Sequence, residues 1–215
     1  MSLSRRLALL DWAGTADAWI VEDDYDSEYR FSGRPLEALH GLDSAGRVLY
    51  IGTFSKVLFP SLRVGYIVAP PVLLGGLLAA RRFIDIHPPL LEQIALADFM
   101  NEGHFVRHAR KMRLVYAERR NALVDALTRE LGDALDVVVP EAGIHLAAWL
   151  AEDTSIQSTT LRTAAHRLNI LTVSQLSMRS LHRDGLLLGF ASAAPEQLRA
   201  GVCVLARALV GHAAH

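Results

Sequence analysis

Apolar residues follow two distinct patterns along this chain. Some segments repeat them at helical spacing, and others are short unbroken runs bounded by glycine, proline or polar residues, as is typical of strands. The helical pattern predicts helices over residues 3–14, 72–85, 90–101, 104–131, 160–168 and 195–209. The apolar runs predict strands at residues 18–22, 47–52, 64–69, 137–139, 144–150, 170–173 and 186–191. This mixture of elements predicts an α/β fold.

The best candidate for a domain boundary is the sequence His87-Pro88-Pro89. A residue before proline avoids helical geometry, so two successive prolines make a stiff, extended joint. We therefore predict one domain over residues 1–86 and a smaller α/β domain over residues 87–215, built from antiparallel strands and helices.

The composition excludes several classes of protein. With 51% hydrophobic and 21% charged residues the chain resembles an ordinary globular domain, and its formal net charge of −1 gives no sign of nucleic-acid binding. The single cysteine, Cys203, lies in an apolar helical stretch, which predicts a buried thiol and no disulfide framework. No apolar run is long enough to cross a membrane and the start lacks a signal-peptide pattern, so we expect a cytoplasmic protein.

Residues 50–66 carry the first group of chemically useful side chains. The pattern predicts strand, tight loop, strand, and the loop brings Lys56 together with the hydroxyls of Thr53 and Ser55 and the guanidinium of Arg63. A lysine amine forms a Schiff base with an aldehyde once its pKa is depressed, and hydroxyls with an arginine fork hold phosphate oxygens. The group therefore suits a phosphorylated aldehyde cofactor. The alternative is a surface lysine in a serine-containing loop, with an ordinary cation at the strand end.

Residues 18–31 form an apolar strand that runs straight into a cluster of acids. Because ligands of open α/β sheets bind beyond the carboxyl ends of strands, Asp23 and Lys56 are expected to face one crevice. A carboxylate there keeps a pyridine nitrogen protonated, and Tyr25, two residues further on, would donate to the ring's phenolic oxygen. The alternative is a solvated acidic loop or a cation site, although the glycine and distal glutamate of a calcium loop are missing.

Taken in this order, these segments resemble a known family. The chain is similar to the C-terminal half of the aminotransferase-like domain of MocR-type regulators in the GntR superfamily, and behind them to the class I and II aminotransferases. The resemblance rests on residues 21–31, 52–66 and 87–93 and extends over essentially the whole chain. It implies part of the pyridoxal-phosphate-dependent transferase fold of type I.

The resemblance also implies a role for each candidate side chain. Lys56 would carry pyridoxal phosphate, Asp23 would pair with its ring nitrogen, and Tyr25 would meet the ring oxygen. The phosphate would be held by Thr53, Ser55 and Arg63. No metal is implied.

Two departures limit what the resemblance implies. The family has a winged helix-turn-helix and the first half of its large domain before the point where this chain begins, and that half supplies ring stacking and part of the phosphate cradle. We therefore expect pyridoxal phosphate in the intact parent and weak or absent retention by this chain. In the strand before the last helix, class I and II aminotransferases carry an arginine that clamps the substrate carboxylate, and here that position is Leu187.

The sequence thus favours a fragment of a sensor domain whose parent regulates transcription. It would respond to a small amine or amino acid and contact DNA only through an absent N-terminal domain. The alternatives are a class I or II aminotransferase and a cofactor-free remnant that serves dimerisation. Because the first domain has fewer predicted strands than the family's sheet, an exposed apolar face is expected to drive homodimerisation.

The long predicted helix carries two further features. Its basic run is interpreted as a solvated face rather than as a DNA contact, because acidic and apolar residues resume at once. The run consists of Arg107, Arg110, Lys111 and Arg113. His104 and His108 share a helix face at metal-ligand spacing, but no third ligand follows at a characteristic distance, so both are predicted to be surface histidines.

Overall fold

The computed structural model describes residues 1–33, 37–151 and 167–210. The chain divides into two compact units, of which the first contains residues 1–28 and 33–109. The second contains residues 29–32 and the chain from Arg110 onward. The domain boundary predicted after residue 86 rests on the sequence alone and stays a prediction.

The first unit is built on a three-stranded sheet in the order β1–β2–β3. Strands β1 and β2 are parallel, and β2 and β3 are antiparallel, which confirms the predicted sequence of strand, tight loop and strand. The elements of this unit are α1 (Leu3–Thr15), β1 (Ile20–Asp24), α2 (Leu39–Leu42), β2 (Val48–Thr53), a 3-10 turn (Pro60–Leu62), β3 (Gly65–Val68), α3 (Pro71–Asp85), α4 (Leu90–Asn101) and the start of α5 (His104–Leu131).

The second unit packs helices against an antiparallel sheet in the order β4–β5–β7–β6. Its elements are the rest of α5, β4 (Leu135–Val138), β5 (His145–Leu150), β6 (Leu171–Thr172), a 3-10 turn (Ser174–Leu176), β7 (Gly185–Gly189) and α6 (Pro195–Val210). Burial alternates along β5, where every second residue is buried in the core, as period-2 patterning requires. The antiparallel strand pairing predicted for the second half of the chain is confirmed.

Several predictions need correction. Strand β1 lies two residues later than predicted, because the acids at its end belong to the strand. The short helix α2 was not predicted. Cys203 is exposed rather than buried, because Val202 and Leu205 occupy the side of α6 that faces the core of the second unit, and Cys203 points away from that side.

The helix predicted over residues 160–168 lies almost entirely outside the described residues. Among the helices that are described, none is long and apolar enough to cross a membrane.

Candidate functional site

Parallel pairing brings the carboxyl ends of β1 and β2 to one edge of the first sheet. Asp24 pairs with Gly52, and Thr53, the last residue of β2, pairs with Gly65 at the start of β3. The residues predicted as site residues all lie at this edge or in the segments that leave it. They are Asp23, Tyr25, Thr53, Ser55, Lys56 and Arg63. The register therefore gathers residues that are up to forty positions apart in sequence (23 to 63).

Lys56 lies in a single tight turn. The Leu58 amide donates to the Phe54 carbonyl over 2.8 Å and closes the turn around the lysine. Both neighbours of Lys56 are buried, since Ser55 is 8% exposed and Val57 is 1% exposed. Lys56 itself is exposed, and within the described part of the chain its amine joins no ion pair. The turn thus presents one exposed amine between two buried residues.

The chain enters and leaves this turn through a second set of hydrogen bonds. The Thr53 hydroxyl accepts from the Ser55 amide over 3.2 Å and lies 3.5 Å from the Val64 carbonyl, to which the Phe54 amide donates over 3.0 Å. Arg63 follows the 3-10 turn with φ of 50°, a left-handed conformation uncommon outside glycine, and its side chain is exposed. The Thr53 hydroxyl therefore shapes the turn, whatever else it binds.

The acids of β1 differ according to the side of the strand on which they lie: Glu22 and Asp24 share one side and have hydrogen-bond partners. The Glu22 carboxylate accepts from the amides of Leu39 and His40, over 2.8 and 3.0 Å, and so caps the first turn of α2. The Asp24 carboxylate accepts from the Tyr50 hydroxyl over 2.8 Å. Asp23 lies between them and is exposed. The solvated-loop alternative is therefore wrong for Glu22 and Asp24, which hold the structure together.

Two tyrosines near these acids have raised pKa values. The pKa of Tyr25 is raised by the negative charge of Asp26, then by partial burial, then by the charge of Asp23. The pKa of Tyr50 is raised mainly by burial, and then by its hydrogen bond to Asp24 and the charge of that carboxylate. Both phenols therefore keep their protons at neutral pH and can act as hydrogen-bond donors.

A row of aromatic rings underlies this edge, and the sequence did not reveal it. Phe105 of α5 meets Phe54 edge-on at 5.8 Å between ring centroids, Phe54 lies 5.4 Å from Tyr66, and Tyr66 lies 6.1 Å from Tyr50. The Tyr66 ring lies over Gly52, where a Cβ would be 2.3 Å from its Cζ atom. A larger residue at position 52 would displace the Tyr66 ring, and a single sequence does not show which residues become cross-strand partners.

Of the two histidines of α5, one agrees with its prediction and the other does not. His104 is exposed and contacts Glu102, Arg107 and Phe99, as a surface histidine does. His108 is half-buried, and its Nε2 atom lies 3.0 Å from the carbonyl oxygen of Val57, so the prediction for it was wrong. The basic run on α5 is exposed, as predicted.

The donor set at this edge fits a phosphorylated pyridine aldehyde. Lys56 offers an exposed amine on a fixed turn, Arg63 offers an exposed guanidinium, and Asp23 offers an exposed carboxylate to a protonated ring nitrogen. A metal ion has a poorer match here, because Glu22 and Asp24 are already engaged and the described residues contain no group of three metal-ligating side chains.

The family comparison agrees with this fold. The family model for class I and II aminotransferases matches residues 12–202, so the chain belongs to that family. It is similar to the probable rhizopine catabolism regulatory protein MocR of Rhizobium meliloti, at 44% identity over 94% of this chain. It is also similar to the uncharacterized HTH-type transcriptional regulator YhdI of Bacillus subtilis, at 34% identity over 94% of this chain.

A solved structure extends the comparison to three dimensions. The α-aminoadipate aminotransferase LysN of Thermus thermophilus, complexed with N-(5'-phosphopyridoxyl)-L-leucine, superposes with a TM-score of 0.88 at 31% identity over 99% of this chain. The chain spans 41% and 43% of the lengths of the two regulators and 55% of the aminotransferase chain. The fold is thus an α/β, partial pyridoxal-phosphate-dependent transferase fold of type I.

Proposed function

We propose that this chain is part of a pyridoxal-phosphate-binding, aminotransferase-like effector domain of a transcriptional regulator. The observation that carries the proposal is the turn at Lys56, which exposes one amine at the sheet edge where Asp23 also ends its strand. The similarity to MocR and YhdI supports the regulatory role. Such a regulator acts on the genome, which places it in the cytoplasm.

Each residue of the edge has a task in this proposal. Lys56 would bind the cofactor covalently through Nζ. The pyridine ring of the cofactor, when bound, would supply an electron sink for chemistry on an amine substrate. Asp23 holds a proton on the ring nitrogen, and Tyr25, whose raised pKa keeps it protonated, donates to the ring oxygen. Arg63 and Ser55 hold the phosphate, with Thr53 fixing the turn between them.

A sensor role, rather than turnover, is supported by Leu187. Leu187 stands where class I and II aminotransferases carry the arginine that clamps the substrate carboxylate. It pairs with Ala147 and Leu171 in the second unit, and its apolar side chain offers no cation for a carboxylate. Proton transfer in an aminotransferase requires the substrate to be held in one orientation, and such positioning lowers the activation barrier by several kcal/mol. Binding of an amine effector needs less, because a ligand that favours one of two conformations already shifts the population. The effector is a small amine or amino acid, and the regulator acts as a homodimer that contacts DNA through another domain.

The chain allows a direct test of the lysine assignment, because it contains only two lysines, Lys56 and Lys111. Because retention of the cofactor by the 215-residue chain is expected to be weak, borohydride is added while pyridoxal phosphate is still present in excess, so that even a short-lived imine is trapped. The chain is then digested, and the adduct on each lysine is quantified by mass spectrometry. We expect Lys56 to be labelled at least about tenfold more than Lys111, which is a 1.4 kcal/mol preference. Lys56→Arg should remove the adduct, and Lys111→Arg should leave it unchanged.

Equal labelling of the two lysines, or preferential labelling of Lys111, would contradict the site. The same assay separates sensor from enzyme. A small amine effector competes with Lys56 for the aldehyde and lowers the Lys56 adduct, and a sensor does so without releasing a keto acid. Steady keto-acid production from an added amino acid, followed with a coupled dehydrogenase, would favour the aminotransferase alternative instead.

A further inference from the structure

His108 makes a contact that neither the family comparison nor the proposed cofactor chemistry assigns. Its Nε2 atom lies 3.0 Å from the carbonyl oxygen of Val57, the residue directly after Lys56. A carbonyl oxygen only accepts, so Nε2 carries the hydrogen and the histidine is the donor. Val57 is 1% exposed, so water has little access to replace this donor.

The start of α5 therefore holds both flanks of the lysine turn. On the side before Lys56, Phe105 packs edge-on against Phe54 at 5.8 Å between ring centroids. On the side after it, three residues further along the same helix, His108 binds the Val57 carbonyl. Residues at i and i+3 share one helix face, so a single face of α5 restrains the turn at two points.

We propose that His108 is a positioning residue for Lys56. Its hydrogen bond fixes the peptide after the lysine, and with the bond between Leu58 and Phe54 it sets the direction in which the amine leaves the turn. When the histidine donor is removed, this restraint is lost, the turn opens more often, and the amine is no longer presented at the sheet edge. The consequence for pyridoxal phosphate rests on the proposed function, whereas the hold on the turn does not.

Three variants test the proposal in the 215-residue chain. His108→Leu removes the donor, and His108→Gln keeps an amide donor at the position of Nε2. His104→Leu is the matched control, because it removes a histidine from the same helix whose contacts lie elsewhere. Should His108→Leu fail to fold, His108→Asn replaces it, since its shorter side chain does not reach the carbonyl.

The first measurement needs no cofactor. Hydrogen–deuterium exchange of the peptide containing residues 54–58 should be about tenfold faster in His108→Leu, corresponding to 1.4 kcal/mol, close to wild type in His108→Gln, and unchanged in His104→Leu. The second measurement is the ratio of pyridoxal-phosphate adducts on Lys56 and Lys111 after borohydride reduction. We expect this ratio to fall several-fold in His108→Leu and to recover in His108→Gln.

Each result decides one of the two proposals. Unchanged exchange in His108→Leu, an equal change in His104→Leu, or no rescue by His108→Gln would overturn the positioning role. Equal labelling of Lys56 and Lys111 in the wild-type chain would overturn the proposed function. The hydrogen–deuterium exchange rates would then still decide whether His108 holds the turn.

Discussion

The two units of this chain bury apolar side chains to very different degrees. Among the described residues, the core of the second unit contains sixteen buried residues from α5, α6 and the antiparallel sheet. The corresponding cluster of the first unit contains four, where α1 meets β1, α2 and β2. Strand β3 is exposed along its whole length, and most of α3 is exposed too, including its apolar side chains.

The candidate site therefore lies in the unit with the smaller core. Its shape comes from hydrogen bonds at particular atoms, such as those of Glu22 to α2, Asp24 to Tyr50 and Thr53 to Ser55, together with the row of aromatic rings beneath the edge. The open apolar face of β3 and α3 is the basis for the proposed homodimer. A well-filled core supports the second unit, and local polar contacts support the site.

The largest expected effect comes from comparing alanine substitutions at two phenylalanines, one in each unit. Phe190 is fully buried in the second unit, and Phe83 on α3 is 90% exposed. Phe190→Ala should lower the free energy of unfolding by about 3–5 kcal/mol, because the buried apolar contacts of the ring are lost and a cavity is left in the core. Phe83→Ala should change the same quantity by less than about 0.5 kcal/mol at protein concentrations low enough for the chain to be monomeric. Urea denaturation of both variants measures the difference.

The Phe83 variant also tests how the open face is used. If a second copy covers that face, Phe83→Ala should shift the dimer toward monomer in sedimentation, and its unfolding should depend on protein concentration. A large, concentration-independent loss in Phe83→Ala would instead show that the side chain is buried within its own chain, and the contrast between the units would fail.

The sequence predicted the units well where local pattern decides the structure. The bounds of α4 and α5 agree with prediction, because apolar spacing and the flanking Gly103 and Gly132 mark both helices without help from distant residues. The order of strands around Lys56 was predictable for the same reason. The site was predictable as a set of residue types near one edge, and its assignment to pyridoxal phosphate stays a prediction.

The parts that failed depend on partners far away in sequence. Strand β1 extends through its acids because Glu22 and Asp24 find donors in α2 and β2, and a lone sequence shows neither. His108 was taken for a surface histidine because its partner is a backbone carbonyl 51 residues away. Backbone partners carry no residue type, so no composition or spacing indicates them.

A medium-sized effect tests whether the first unit is tightly packed at the site despite its open face. Gly52→Ala places a Cβ 2.3 Å from Tyr66 Cζ, so the ring must leave its position beside Phe54 and Tyr50. We expect a loss of about 1–3 kcal/mol in the free energy of unfolding. Gly75→Ala, inside α3 with nothing within 4 Å, is the matched control and should gain about 0.5–1 kcal/mol. Equal effects at both glycines would contradict the packing.

The smallest expected effect compares the contribution to stability of one carboxylate in each unit. The pKa of Glu28 is raised from its ordinary value of 4.5, chiefly by burial, with Asp24 and Asp26 adding to it against an opposing backbone hydrogen bond. A raised folded-state pKa means that the folded chain holds this proton more tightly than the unfolded chain. Stability from Glu28 is therefore full below pH 4.5 and is lost as pH rises through the folded-state pKa.

Glu28→Gln removes that penalty, so it should raise the free energy of unfolding at pH 7 by less than about 1 kcal/mol, since solvent screens this partly exposed group. The gain should vanish below pH 4.5, where Glu28 is protonated in both states. Glu141 in the second unit is the matched control, because its carboxylate pairs with Arg30 at 2.6 Å and is 67% exposed. Glu141→Gln breaks the pair and should lose up to about 1 kcal/mol at pH 7. Opposite signs in urea denaturation at pH 7 support the comparison, and a loss in Glu28→Gln that persists at pH 4 would show that its hydrogen bonds outweigh its charge.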